Sequence, residues 1–388
     1  MRLIYIEPTP SPNTMKLNVD EMHPHGRRDT YTAADAASAP ESLRGLLAID
    51  GVRRLFRTAD FIALDRKPGA DWERILAEAR TLLQAGEGSE GRSESGQEPA
   101  AESFGEAHAL VQMYRDIPMQ VRVRMGDREV RAAMPAAYAE AVTAAAGATM
   151  IRERKLEELG VRYGEPEEIA AEIVKELVAA YPQERLDELV ASAIAQGGTA
   201  SDTNAPAVSV RPEPLTAEQL AERMASPDWN VRYEALSRTT PQPEMLPQLE
   251  QALSDDNVSI RRLAVVYLGD LRIPEALPLL FTALRDSSAS VRRTAGDTLS
   301  DLGDPAAIGP MIESLSDSNK LVRWRAARFL YEIGDESALE SLRQAADDAE
   351  FEVRLQARMA MERIERGEEA AGSVWQQMTA RTRSQDKN

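Results

Sequence analysis

Five times in the last third of the chain an aliphatic residue is followed directly by arginine: Val231-Arg232, Ile260-Arg261, Val291-Arg292, Val322-Arg323 and Val353-Arg354. Successive arginines are 29, 31, 31 and 31 residues apart. Alanine follows each aliphatic at +4 (Ala235, Ala264, Ala295, Ala326, Ala357), and four of the five carry a larger apolar residue at +8 (Leu268, Leu299, Leu330, Met361). Positions 0, +4 and +8 share one helical face, so each segment reads as an amphipathic helix. Alanine lets a neighbouring helix come close. An aspartate stands upstream each time (Asp228, Asp255, Asp286, Asp317, Asp347), where it can cap free amide groups. Leu302-Gly303-Asp304 and Ile333-Gly334-Asp335 supply glycine at the helix end, and Pro305 opens the next helix. A second helix falls at 277–284, 308–315 and 338–345 in successive periods. One such hairpin cannot bury its apolar stripe alone, so the repeats must stack into a solenoid.

This pattern, Asp-x-x-x-x-Val-Arg-x-x-Ala at a period near 31, resembles the short HEAT-like repeats of phycobilin lyases and covers residues 215–366. The resemblance implies a fold and a generic binding scaffold, and does not bring lyase chemistry with it. The five arginines read as ties within the inter-repeat turns rather than an anion-binding ladder. A partner-binding stripe is expected on the face opposite the core, at +2, +6 and +9: Tyr233, Arg262, Arg293 and Trp324, with Arg325, Arg328 and Tyr331 beside them. Aromatic and arginine side chains are the usual anchors of interfaces. The alternative is a Trp324 packed at a repeat junction. The stripe stands out because residues 215–366 are acidic overall, with 18 basic against 26 acidic side chains.

Two stretches read as linkers. Residues 86–106 hold six glutamates and one arginine among Gly and Ser, too little apolar surface to offset chain entropy. Residues 197–214 are Gly, Ser, Thr, Asn, Ala and Pro, and 367–388 form a polar tail. They leave three folded pieces: a small α+β domain at 1–85, a hairpin-plus-helices module at 107–196, and the α-solenoid at 215–366. The fold class is thus multidomain, α+β and all-α.

In the first piece, strands are expected at 3–6, 15–19, 28–32, 51–56 and 61–65, and helices at 40–49 and 71–83. Thr9-Pro10-Ser11-Pro12-Asn13-Thr14-Met15-Lys16, followed by Gly51-Val52, Phe56, Asp60-Phe61-Ile62 and Asp71-Trp72, resembles the N-terminal domain of Nfu/NifU-type scaffolds. That family serves iron–sulfur cluster assembly and holds its cluster on a Cys-x-x-Cys motif in a separate domain. This chain has no cysteine, so the resemblance implies docking, not cluster carriage. His23-Pro24-His25 reads as a solvated pair rather than a metal site.

The middle piece reads as a hairpin, 121–125 and 128–132 around Gly126-Asp127, then helices at 135–147, 165–180 and 183–195. Arg122, Arg124, Arg128 and Arg131 alternate on it as a solvated sheet face. The order of an Nfu-like domain, this module and short HEAT repeats resembles the conserved virulence factor C family of Gram-positive bacteria.

The chain carries 46 basic and 64 acidic residues, a net charge of -18, which disfavours nucleic-acid and membrane partners. No run approaches the roughly 18 apolar residues of a membrane helix. The opening residues do not form a signal peptide, so a cytoplasmic protein is expected. With three histidines and no Gly-rich phosphate loop, no catalytic residues, metal or cofactor are expected. The expectation is a non-enzymatic adaptor that binds protein or peptide partners, with a link to iron–sulfur assembly or virulence regulation. The alternative is an enzyme such as a cofactor lyase built on the solenoid.

Overall fold

The computed structural model describes residues 1–9, 13–24, 27–36, 39–67, 70–84, 106–125, 128–146, 154–195 and 214–367. The Pro10–Pro12 turn, His25, the Gly126-Asp127 turn, nearly all of both linkers and the tail from 368 onward lie outside them.

The first domain is an antiparallel sheet of β1 (Leu3–Pro8), β2 (Thr14–Val19), β3 (Arg28–Thr32), β4 (Val52–Thr58) and β5 (Phe61–Arg66), in the order β1-β2-β5-β4-β3. Alternation in β4 and β5 aims Leu55, Ile62 and Leu64 into the core with Leu17 of β2. Two helices, α1 (Glu41–Ala48) and α2 (Trp72–Gln84), add Leu43, Leu46, Trp72 and Ile75 to that core. His23 corrects its reading as solvated. It is buried, with Nε2 3.0 Å from the Asp29 carboxylate.

The middle module holds more strand than its sequence announces. Besides β7 (Ile117–Met125) and β8 (Arg128–Ala133), the sheet includes β6 (Glu106–Tyr114) and β9 (Arg154–Tyr163), in the order β8-β7-β6-β9. β6 alternates, with Ala107, Ala109, Val111 and Met113 buried, but begins at the last residue assigned to the acidic linker, whereas β9 is exposed along most of its length and shows no clean alternation. Helices α3 (Ala136–Ala145), α4 (Pro166–Ala180) and α5 (Gln183–Ala195) complete the module. On the hairpin, Arg124 and Arg131 pair with Glu129, and Arg128 pairs with Glu167 on α4.

The solenoid comprises five helix pairs. The shorter helices are α6 (Ala217–Met224), α8 (Leu246–Ala252), α10 (Leu277–Ala283), α12 (Ile308–Ser314) and α14 (Leu339–Ala345). The longer ones are α7 (Trp229–Arg238), α9 (Val258–Leu271), α11 (Ala289–Leu302), α13 (Lys320–Ile333) and α15 (Phe351–Glu365). The repeated alanines, among them Ala264, Ala295, Ala326 and Ala357, are fully buried where helices meet. Gly303 ends α11 in the left-handed conformation (φ 64°), whereas Gly334 after α13 has φ -56° and does not.

The repeated arginines are ties between repeats. Arg261 Nε and Nη2 donate to the Asp286 carboxylate at 2.8 and 3.0 Å, while Nη1 donates to the Asp255 and Asp256 carbonyls in its own turn. Arg232 to Asp255, Arg292 to Asp317 and Arg323 to Asp348 repeat the arrangement. Each arginine therefore grips the next repeat's aspartate. That aspartate also accepts the N–H two residues on, as from Asn257, Ser288, Asn319 and Glu350. The caps are thus Asp228, Asn257 and Asn319, and the other aspartates are rungs. In the last repeat the rung is Asp348, not Asp347, which is exposed.

The ladder ends on the first domain. Arg354 Nη2 lies 3.7 Å from Glu73 of α2, and Phe351 and Leu355 pack on the first domain's core. The buried Arg66 guanidinium reaches Glu352 at 2.7 Å, donates to the Ala70 carbonyl and lies over the Trp72 ring. The last repeat would otherwise expose an apolar end, and the N-terminal domain covers it.

Candidate binding site

The seven residues of the expected stripe lie on α7, α9, α11 and α13. The stripe is not open. Tyr233, Arg262, Arg293 and Trp324 are 6%, 6%, 1% and 3% exposed. Arg328 is also buried, and Arg325 and Tyr331 are half-buried. The placement corrects their reading as a free partner-binding surface: the middle module covers Tyr233, Arg262, Arg293 and Trp324, while Tyr331 packs on the solenoid's own core. Glu176 of α4 accepts from Arg262 at 3.2 Å and from Arg162 of β9 at 3.1 Å, and the Tyr233 hydroxyl bonds to it as well. Burial alone would raise the Glu176 carboxyl, but Arg262 and Arg162 hold it below the ordinary carboxylate range. Beside them, Arg293 donates to the Tyr163 hydroxyl at 2.8 Å and lies over the Tyr163 ring. Tyr163 also packs on a cluster of Leu321, Trp324 and Val353, and Ala179 and Ala180 of α4 join the solenoid's own core. Arg328 is taken by Glu332, 2.7 Å away on the same helix.

A cleft of about 360 Å³ remains between β9 and the second and third repeats. One wall is the run from Leu159 to Tyr163; the other is α9 and α11, with Arg262, Asp270, Thr294, Asp297 and Asp301. No residue of β6, the ladder partner of β9, lines it. The cleft therefore lies along the outer, unpaired edge of β9. Gly160, at φ 84°, sits where the β6–β9 register shifts, and Val161 beside it is 36% exposed. The opposite wall is close-packed: a Cβ on Gly269 would collide with the Thr298 methyl group.

The cleft's charged lining is three arginines, Arg162, Arg262 and Arg272, and three aspartates, Asp270, Asp297 and Asp301. Asp297 is taken by Arg293 and Arg325, and Arg162 and Arg262 by Glu176. Asp270 and Asp301 form no close ion pair among the described residues, but the Arg272 charge acts on both and favours their charged forms. Both reach water, yet the protein mass behind them disfavours their charged forms and pushes the two carboxyls up. A second hollow, of about 380 Å³, lies on the ladder side around Arg285, Arg292 and Glu313. There Arg285 pairs with Glu313 and Arg292 with Asp317. No group of three or more metal-ligating side chains is assembled among the described residues. No helix of the described residues is long and apolar enough to cross a membrane.

Glu176, Tyr163, Asp270 and Asp301 carry this site, and the sequence reading singled out none of them. A signal for two of them was present: Asp270, Asp301 and Glu332 recur at the period of 31.

Comparison with known proteins agrees with the three-part organisation. Residues 4–87 match the scaffold protein Nfu/NifU N-terminal family, 112–190 the virulence factor family, and 217–295, 246–315 and 279–362 the HEAT repeats. Protein YpgR of Bacillus subtilis is 50% identical over 98% of each chain. Conserved virulence factor C of Staphylococcus aureus (strain MRSA252) is 45% identical, covering 98% of this chain and 100% of its own. Among solved structures, protein SAV1430 from Staphylococcus aureus is 35% identical over 21% of this chain and 98% of its own, with a TM-score of 0.20. With full-length identity at this level, the chain belongs to the conserved virulence factor C family.

Proposed function

We propose that this protein is a non-enzymatic adaptor whose solenoid holds its own middle module and presents, beside it, a cleft for a protein partner. The observation that carries this reading is the cleft itself. It runs along a free strand edge at a module boundary, and its polar side chains include no histidine, cysteine, serine or lysine. Main-chain recognition suits such a place better than general acid–base or nucleophilic chemistry. The Nfu-like domain, docked on the last repeat and lacking any cysteine, serves here as a cap and a second docking surface. The names of the relatives point the adaptor toward virulence-related regulation, in a cytoplasmic setting.

A photo-cross-linking residue placed at Val161 tests the reading in cells. Discrete adducts to another protein are expected from Val161 and not from the exposed Ile194 on α5. Adducts equal at both positions, or none at Val161, would refute it.

A second reading has one observation in its favour. The raised carboxyls of Asp270 and Asp301 are the kind of groups an acid–base enzyme uses. Native mass spectrometry of the purified chain tests it: a stoichiometric small molecule in the cleft supports an enzyme or cofactor lyase, and a bare chain does not.

A further inference from the structure

The first domain meets α15 through a guanidinium that the domain itself holds in place. Arg66, 4% exposed, is the last residue of β5. Its Nε donates to the Asn13 side-chain oxygen at 3.3 Å and its Nη1 to the Ala70 carbonyl at 2.8 Å, and the guanidinium lies 5.2 Å from the centre of the Trp72 ring. Asn13 and Trp72 both belong to the motifs that mark the Nfu-like domain. These contacts fix the side chain without a carboxylate. Among the described residues, the carboxylate within ion-pair distance is Glu352 of α15, 2.7 Å away. Burial works against the charge of the guanidinium; Glu352 does most to restore it, and Asp71 of the domain acts more weakly.

The α15 side of the contact is a run of five residues, Phe-Glu-Val-Arg-Leu at 351–355. Phe351 and Leu355, one turn apart, pack on the first domain's core. Glu352 stands in the first turn, where the helix dipole favours an acid, and Arg354 lies 3.7 Å from Glu73 of α2. The charges are exchanged crosswise: the domain offers an arginine and a glutamate, the helix start a glutamate and an arginine. Each of these solenoid groups belongs to one helix start, so a helix that begins with the same pattern fits the same seat.

We propose that Arg66 and the surface around it are a docking site for a partner helix that begins aromatic-Glu-x-Arg-Leu, and that α15 fills the site as an intrachain competitor. The proposal rests on the adaptor reading, locates its second docking surface and gives that partner's chemistry; the cleft plays no part in it. A competitor on the same chain acts at an effective concentration of about a millimolar, so a partner helix takes the seat only when it is abundant or fits better. Its arrival uncovers Phe351 and Leu355, which ties occupancy of the N-terminal domain to exposure of the last repeat.

The test uses the full chain and a fluorescent peptide of residues 348–362, stapled as a helix, in anisotropy titrations. In the Glu352→Ala chain the intrachain competitor lacks its carboxylate, so this chain is expected to bind the peptide at least tenfold more tightly than wild type. A peptide that itself carries Glu352→Ala should bind that chain at least tenfold more weakly than the native-sequence peptide. Adding Arg66→Gln to the chain should abolish the preference between the two peptides. Should Arg66→Gln unfold the sheet, read as lost exchange protection in β2, β4 and β5, the comparison of the two peptides on the Glu352→Ala chain decides alone. Equal binding of the two peptides, equal binding by wild type and Glu352→Ala, or no binding by Glu352→Ala would overturn the proposal. Concentration-dependent dimers of the wild type that the peptide dissociates would give the seat to a second copy and overturn it as well. If the peptide fails while cross-linking from Val161 still yields a partner, the inference falls and the adaptor reading stands. If both fail, both fall.

Discussion

Arg262, on the second repeat, donates across 3.2 Å to Glu176 on the middle module, and both side chains are more than nine-tenths buried. The contact spans two modules and 86 residues of chain. It makes the stripe of aromatic and arginine residues an internal interface. Removing one partner of such a pair strands the other charge, a loss of about 3–5 kcal/mol. Glu176→Ala is therefore expected to loosen the middle module from the solenoid, read as faster hydrogen exchange in both α4 and α9.

The same pair sets a pH dependence. The Glu176 carboxyl is held below its ordinary value, so its contribution is complete above that value and is lost as pH falls through the lowered one. Acid titration of the wild type is expected to show loosening of the interface before global unfolding. Glu176→Gln should remove that step, and an unchanged acid transition in this variant would contradict the assignment.

Trp324 distinguishes the open from the closed stripe. At 3% exposure it is core, and Trp324→Ala is expected to cost about 3–5 kcal/mol. A free interface residue would leave the melting temperature nearly unchanged. Thermal unfolding of the single variant separates the two.

The ladder makes a prediction at neighbouring residues. Asp348→Ala removes the acceptor of Arg323 and is expected to cost about 1.5–3 kcal/mol. Asp347→Ala removes an exposed carboxylate and should stay within about 0.5 kcal/mol of wild type. Equal losses in denaturant titrations would dissolve the distinction.

These results show where sequence reading succeeds. The helices of the solenoid were legible because alanine, aliphatic residue and arginine recur with a fixed period. The structural role of Arg261 and its counterparts followed from the same regularity. The Nfu-like domain was legible through Thr14-Met15-Lys16, Asp60-Phe61-Ile62 and Trp72, which sit on β2, at the start of β5 and on α2. β9 was not, because an edge strand that faces solvent and a polar cleft has no alternating apolar pattern. For the stripe, periodicity within a helix says only which residues recur at one angular position. It cannot say that Tyr163 and Glu176, more than 50 residues upstream of the stripe's first member, come back to cover it.

Docking of the N-terminal domain has its own test. Glu352→Ala leaves the Arg66 guanidinium, 3% exposed, without its carboxylate. Hydrogen exchange should rise in α15 and in α2, while β2, β4 and β5 keep their protection. Unfolding of that sheet together with α15 would instead mean that the domain depends on the solenoid for its fold.

The central claim is that the middle module lies on the solenoid face formed by α7, α9, α11 and α13, leaving the cleft beside it. The chain has no cysteine, so a single engineered pair reports on this without background. Ser259 Oγ lies 3.3 Å from the Glu172 carboxylate across the interface. Ser259→Cys combined with Glu172→Cys, treated with a short bismaleimide, is expected to cross-link within one chain in high yield at low protein concentration. Cysteines that stay unlinked, or link only between chains, would contradict the account.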